Sequence, residues 1–228
     1  MVATSRKPHG RTPVQSTAHA HGPAPEDGPT PTHRPTLQPV PEQPLPSTPR
    51  ELFDALPHLP GLRTEIINGR LIVSPVGTPE HGRAAMRLFR LLIPIIDERG
   101  WEAFAGNVDV CIDGTRDPLE PDFVLAPLNC TRWGGRELLS SGLKLVAEVV
   151  SPGSAYDDRE LKPDIYAGGG VPVMLLVDPL AESGTVTVFS EPKEGRYRVI
   201  STVTFGREIY IPDPIDFTLD TSVFKEVV

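Results

Sequence analysis

The sequence predicts an α/β domain built on a mixed central sheet and running from about Thr48 to residue 228. Three observations predict it. LKLVAEVV (143–150), DDRELKPDIYA (157–167) and VPVMLLVD (171–178) read as strand, helix and strand with short joins. Such a βαβ unit sets its two strands parallel, with a right-handed crossover. After residue 180, TVTVFSE, RYRVISTVTF and REIYIP alternate in polarity with turn residues between them, as antiparallel strands do. Finally, Ala85, Leu88, Phe89, Leu92 and Ile96 recur at three- and four-residue steps, which gives one apolar helix face.

Taken in order, Thr48-Pro49-Arg50-Glu51 has the capping-box pattern with Pro at the first helical position, and it opens a short helix through ELFDAL. RTEIINGRLIVS (63–74) reads as a hairpin, because Asn68-Gly69 suits a type I′ turn. Thr78-Pro79 starts the second helix, whose last turn Pro94 should kink or shorten. WEAFAGNVDVCI (101–112) and PDFVLA (121–126) read as strands, and 127–142 as a loop with room for a helical turn. LKLVAEVV is apolar enough to be a central strand. Gly168-Gly169-Gly170 ends the helix after it; with no Lys-Ser/Thr following, it is a stop rather than a phosphate loop.

Composition separates this domain from what precedes it. Residues 1–50 hold 12 of the 27 prolines and no Phe, Trp or Tyr, too little apolar area to offset chain entropy. Residues 1–47 are therefore expected to be a disordered, Pro-rich tail with polyproline character, in which His19, His21 and His33 are solvated. The first 50 residues carry a net charge of +2, so the formal total of −8 leaves −10 for the remainder. Such acidity argues against a tight sequence-reading nucleic-acid binder but leaves room for a metal-dependent enzyme. Cys111 and Cys130 show no zinc-ligand or disulfide spacing. No apolar stretch follows the basic N-terminal residues, and VPVMLLV (171–177) is too short to span a bilayer. A cytoplasmic protein is expected.

Glu148 is the residue that needs explaining. It sits within LVAEVV, sharing a strand face with Lys144, Val146 and Val150. Burying an ionised carboxylate is costly unless a cation, a metal or hydrogen-bond donors compensate it. Asp122 begins another strand just after Pro121, and neighbouring strands would bring the two acids together. Two close carboxylates repel unless a cation separates them. Mg2+ suits the pair, as it prefers hard oxygen ligands. Lys162, on the helix after the Glu148 strand, is the natural lysine to complete such a site, and Asp158, Lys162 and Tyr166 lie along one helix face. A structural ion pair of Glu148 with Lys144 or Lys162 is the alternative. Glu65 reads equally as an extra metal or water ligand and as a sheet-edge acid. His81 is expected to cap or pack, Ser151-Pro152 to shape a turn, and Asp158 to cap its helix.

The stretches EIINGRLIVSP (65–75), TPEHGRA (78–84), PDFVLA (121–126) and AEVVSPGSAYDDRELKPDIYAGGGVP (147–172) carry a resemblance, with DFTLD near the C-terminus a weaker one. They resemble the PD-(D/E)XK nuclease superfamily and, more narrowly, the bacterial restriction-endonuclease family often called the Uma-two family. The resemblance covers residues of about 50–225, essentially the whole expected domain. It implies a restriction-endonuclease-like αβββαβ core, with the hairpin before it and antiparallel strands after it. It also implies a metal-dependent endonuclease that hydrolyses phosphodiester bonds in nucleic acid, DNA foremost. Asp122 and Glu148 would be the ligands for Mg2+ (or Mn2+), Lys162 would assist the water, and Glu65 would contribute to catalysis. No membrane is implied, and homodimerisation is left open.

The sequence departs from the superfamily pattern in one place that matters. The position two residues after the Glu, where the superfamily has its lysine, is Val150, and the resemblance to this branch implies that the lysine's function moves to the following helix, to Lys162. Pro163 predicts that Lys162 is restricted away from helical φ/ψ. Val173-Met174 stands where this branch commonly has Tyr-Trp, a packing difference. The missing lysine and the −10 charge keep an alternative in view, a catalytically inactive nucleic-acid-binding or assembly module on the same fold.

Overall fold

In the computed structural model, which describes residues 44–57 and 59–226, regular structure begins at Pro49. The expectation for residues 1–47 falls largely outside the described residues, as do His19, His21 and His33; Pro44–Ser47 are exposed. Helix α1 is Pro49–Ala55: the Thr48 hydroxyl accepts from the Glu51 N–H, while the Glu51 carboxylate accepts from the backbone of Ser47 and Thr48. Strands β1 (Leu62–Ile67) and β2 (Arg70–Pro75) form the expected hairpin. Asn68 and Gly69 have φ of 49° and 71°, the positive pair that a type I′ turn demands.

Helix α2 (Pro79–Arg99) buries Ala84, Ala85, Leu88, Leu92, Ile95 and Ile96, while Phe89 is only partly covered. Pro94 does not shorten it. The helix continues to Arg99 and ends at Gly100 with φ 62°. Pro94 lies on the exposed side, where water can satisfy the carbonyl it leaves without an N–H partner.

The strand expected over 101–112 is two strands in two sheets. Strand β3 is Trp101–Phe104, and β4 is Val110–Cys111. Gly106 and Asn107, with φ of 69° and 56°, turn the chain out of the first sheet. Strands β5 (Pro118–Leu119) and β6 (Phe123–Pro127) follow. The expected loop 127–142 contains β7 (Arg132–Trp133), β8 (Glu137–Leu139) and a 3-10 turn over Ser140–Gly142. Strands β5, β4, β8 and β7 make a small second sheet in that order.

Strand β9 (Leu145–Val149) leads through a π-helical turn, Asp157–Leu161, into α3 (Lys162–Gly168) and then β10 (Val173–Asp178). Strands β11 (Thr185–Lys193) and β12 (Arg196–Thr204) complete the main sheet, and β13 (Glu208–Ile211) and β14 (Phe217–Asp220) form a separate hairpin. The main sheet runs β12-β11-β10-β9-β6-β3, with β9 and β10 parallel and the other neighbours antiparallel. In chain order α2, β3, β6, β9, α3 and β10 supply the αβββαβ core.

Alternation along β9 divides the core. Leu145, Ala147 and Val149 pack with α2, β13 and β14, whereas Val146 and Val150 pack with α3 and the small sheet. Glu148 points to this second side. Cys111 and Cys130 are free thiols. Among the described residues no helix is long and apolar enough to cross a membrane.

Candidate active site

Antiparallel register places Asp122 beside Glu148. Phe123 faces Ala147 across β6 and β9, so the preceding residue of one strand meets the following residue of the other. Asp122 is further fixed by its Oδ2, which accepts from the Val149 N–H at 2.8 Å. Its Oδ1 accepts from Arg63 Nη2, also at 2.8 Å, and His81 Nδ1 stands 3.6 Å from Oδ2, beyond hydrogen-bond reach. Burial alone would raise the Asp122 carboxyl, but His81 and the Arg63 guanidinium outweigh it and hold the group well below the usual carboxylate range.

Glu148 is 1% exposed and lies against the lysine proposed from sequence. Lys162 Nζ donates to Glu148 Oε1 at 3.0 Å, and the Tyr166 hydroxyl donates to the same oxygen at 2.6 Å. The lysine also stands 3.0 Å from Asp158 Oδ1 and 3.4 Å from Glu65 Oε1. Burial opposes the lysine's charge, yet Glu148, Glu65 and Asp158 hold its pKa well above the ordinary value. Burial pushes Glu148 up to about 8 in spite of Lys162, with Asp158, Asp122 and Glu65 adding repulsion. Burial and the nearby Glu148 also raise the Tyr166 hydroxyl, which stays protonated as a donor. Lys144, the other ion-pair partner considered, instead stands over the Trp101 ring.

Helix geometry explains how Lys162 reaches this point. The residue is helical, at φ −62° and ψ −35°, contrary to the restriction expected from Pro163. Proline cannot donate to a preceding carbonyl, and its ring crowds the turn before it. The wider π turn, in which the Lys162 N–H bonds to Asp157 O, accommodates both problems immediately upstream. Asp158, Lys162 and Tyr166 consequently share the face turned toward Glu148.

All four residues singled out for the site, Glu65, Asp122, Glu148 and Lys162, are buried in one neighbourhood. Sequence reasoning missed the role of Arg63, although Arg63 and Glu65 share a face of β1 by simple alternation. It also misassigned Asp158, which does not cap its helix but faces Lys162. His81 makes no cap; it packs with Nδ1 buried, 3.6 Å from Asp122 Oδ2. Ser151 and Ser154 hydrogen-bond to each other, so that segment does shape the turn.

The donor chemistry fits a hard divalent cation. Among the described residues four carboxyls, from Glu65, Asp122, Glu148 and Asp158, pair with two fixed cations at the site, Arg63 and Lys162, and buried Asp158 Oδ1 receives no well-aligned hydrogen bond. Among the described residues, however, no three acids, histidines or cysteines are already gathered into a metal-holding group. A cleft of about 520 Å3 opens onto Arg63, Glu65, His81, Asp122, Asp158 and Lys162, and Glu148 lies behind them.

Residues 50–222 match the Uma2 family, described as "Putative restriction endonuclease". The chain belongs to the Uma2 family. Among the described residues the match takes in α1 from its second residue, all of α2 and α3, and every strand. The crystal structure of "a putative nuclease" from Anabaena variabilis is similar in fold, with a TM-score of 0.61 at 16% identity, covering 80% of this chain and 99% of that one. No curated protein matches the chain. The fold and family expected from EIINGRLIVSP, PDFVLA and the long AEVVSPGSAYDDRELKPDIYAGGGVP stretch are thus borne out.

Proposed function

We propose that this Uma2 protein is a metal-dependent endonuclease that hydrolyses phosphodiester bonds of nucleic acid, with DNA as its substrate and the cytoplasm as its location. The observation that carries the reading is Glu148, buried on the central strand beside Asp122 with Lys162 Nζ 3.0 Å away. Asp122 and Glu148 would hold Mg2+ or Mn2+. Such an ion, when bound, supplies a more acidic water and neutralises charge on the phosphoryl group. The chain's own residues do the rest. Lys162 keeps a positive charge beside the acids and can orient the attacking water or meet developing negative charge. Tyr166 holds Glu148 Oε1 in place, so the carboxylate keeps one orientation. Arg63 and His81 line the cleft where a phosphate would enter. Glu65, bridging the Glu120 N–H at 3.1 Å and Lys162, positions the lysine.

Purified protein should cut DNA only when Mg2+ or Mn2+ is added, and Glu148→Ala should lose about 100-fold or more of that activity. Equal metal-dependent cutting by wild type and variant would sink the assignment. A second reading has a specific observation behind it: Arg63 and Lys162 already pair with the acids, and no metal group is preassembled among the described residues. An inactive nucleic-acid-binding or assembly module would look this way. It predicts no thermal stabilisation by millimolar Mg2+ or Mn2+, whereas the nuclease reading predicts a concentration-dependent rise in melting temperature.

A further inference from the structure

Arg63 is under-satisfied where it stands. A guanidinium carries five N–H donors, and buried donors without partners are costly. Among the described residues the Arg63 side chain makes one hydrogen bond, from Nη2 to Asp122 Oδ1 at 2.8 Å. Its Nε is buried with no hydrogen-bond partner, and Glu120 Oε1 stands 3.8 Å from it. The same side chain lines two cavities, the 520 Å3 cleft and a neighbouring one of about 250 Å3, and Asp122 and His81 line both with it. Arg63 thus belongs to the lining of both, and it is held there through an acid expected to bind metal.

We propose that Arg63 is an exchangeable arm: it neutralises Asp122 in the metal-free protein, yields that carboxylate to the divalent cation, and then pairs its fork of donors with a phosphate of the nucleic-acid strand. The proposal rests on the metal-dependent reading above. Its physical basis is competition, because Asp122 Oδ1 cannot give its full charge to both a guanidinium and a cation. A freed guanidinium matches a phosphate with two parallel hydrogen bonds, which would employ the donors now idle. Arg63 is a positioning residue before the cation arrives and a substrate contact afterwards.

Calorimetric titration with Mn2+ tests the first half. Arg63→Gln should bind Mn2+ about tenfold or more tightly than wild type, since the competing charge is gone. Glu148→Ala should bind it weakly or not at all. For the second half, the probe is a dinucleotide with a non-hydrolysable methylene-phosphonate linkage. Mn2+ should raise its affinity for wild type and raise it far less for Arg63→Gln.

A measurement on the wild type removes dependence on the variant's folding. The nitrogen-15 resonances of the Arg63 guanidinium should move on addition of Mg2+, with the same midpoint as metal binding. Unmoved resonances, or equal Mn2+ affinity of wild type and Arg63→Gln while Glu148→Ala abolishes binding, would overturn the role of Arg63 and leave the metal site standing. Absence of Mn2+ binding in wild type would remove both.

Discussion

At the scale of single residues, the site is governed by which acids carry a proton. Glu148 has its pKa raised from 4.5 to about 8, chiefly by burial. An acid raised on folding contributes stability below its unfolded pKa and loses it as pH climbs through the folded one. The metal-free protein should therefore lose melting temperature between about pH 5 and pH 8, and Glu148→Gln, which cannot titrate, should be flatter over that window. Asp122 has the opposite sign: its pKa is depressed, so its contribution is present above the usual carboxylate range and is lost as pH falls below it. Because a ligand must be deprotonated, Mn2+ binding should also release a proton and strengthen as pH rises toward 8. Titration in two buffers of different ionisation enthalpy measures that proton directly. Lys162→Met removes the cation among Glu65, Glu148 and Asp158 while keeping its bulk. Loss of roughly 3–5 kcal/mol in denaturant unfolding is expected, as for other broken buried ion pairs.

At the scale of elements, the site depends on junctions more than on the elements themselves. Gly77 joins β2 to α2, and a Cβ placed there would meet His81 Cβ at 3.0 Å and Nδ1 at 3.1 Å. Gly77→Ala should displace His81 from Asp122 at a stability cost of about 1–3 kcal/mol. Metal-dependent cleavage that stays at wild-type level in this variant would show that His81 needs no fixed position. Junctions were also where the sequence was hardest to read. The LVAEVV strand, its parallel partner and the Asn68-Gly69 hairpin were legible because alternation and turn chemistry act over a few residues. The break between β3 and β4 was not, since an alternating pattern continues past Gly106 and only two positive φ values redirect it. Lys162 was read into its helix from its neighbours, but Pro163 argued against helical backbone angles there, because the π turn that admits the proline has no pattern of its own. Arg63 was missed for a tertiary reason: its partner, Asp122, is brought to it only when the hairpin folds against the end of β6.

For the whole molecule, charge sets how a substrate could be held. The chain carries −8 overall and lacks the basic excess of a duplex-binding protein. DNA binding should therefore be weak without divalent metal and should appear when Mg2+ is supplied, with a shallow dependence on monovalent salt. Electrophoretic mobility or fluorescence anisotropy across a salt series would check this, and tight metal-free binding would contradict it. Helix α1 is tied to the rest of the domain by buried Phe53 and by Arg50. Arg50 donates to Glu137 at 2.6 and 2.8 Å and to the Arg116 carbonyl, holding the small sheet from outside. Glu137 is almost fully covered, so a fragment trimmed to begin at residue 59 would strand an acid in the interior of a four-stranded sheet. Short though it is, α1 is expected to belong to any working truncation: a version beginning at residue 59 should melt lower than one beginning at Ser47, where the helix cap starts.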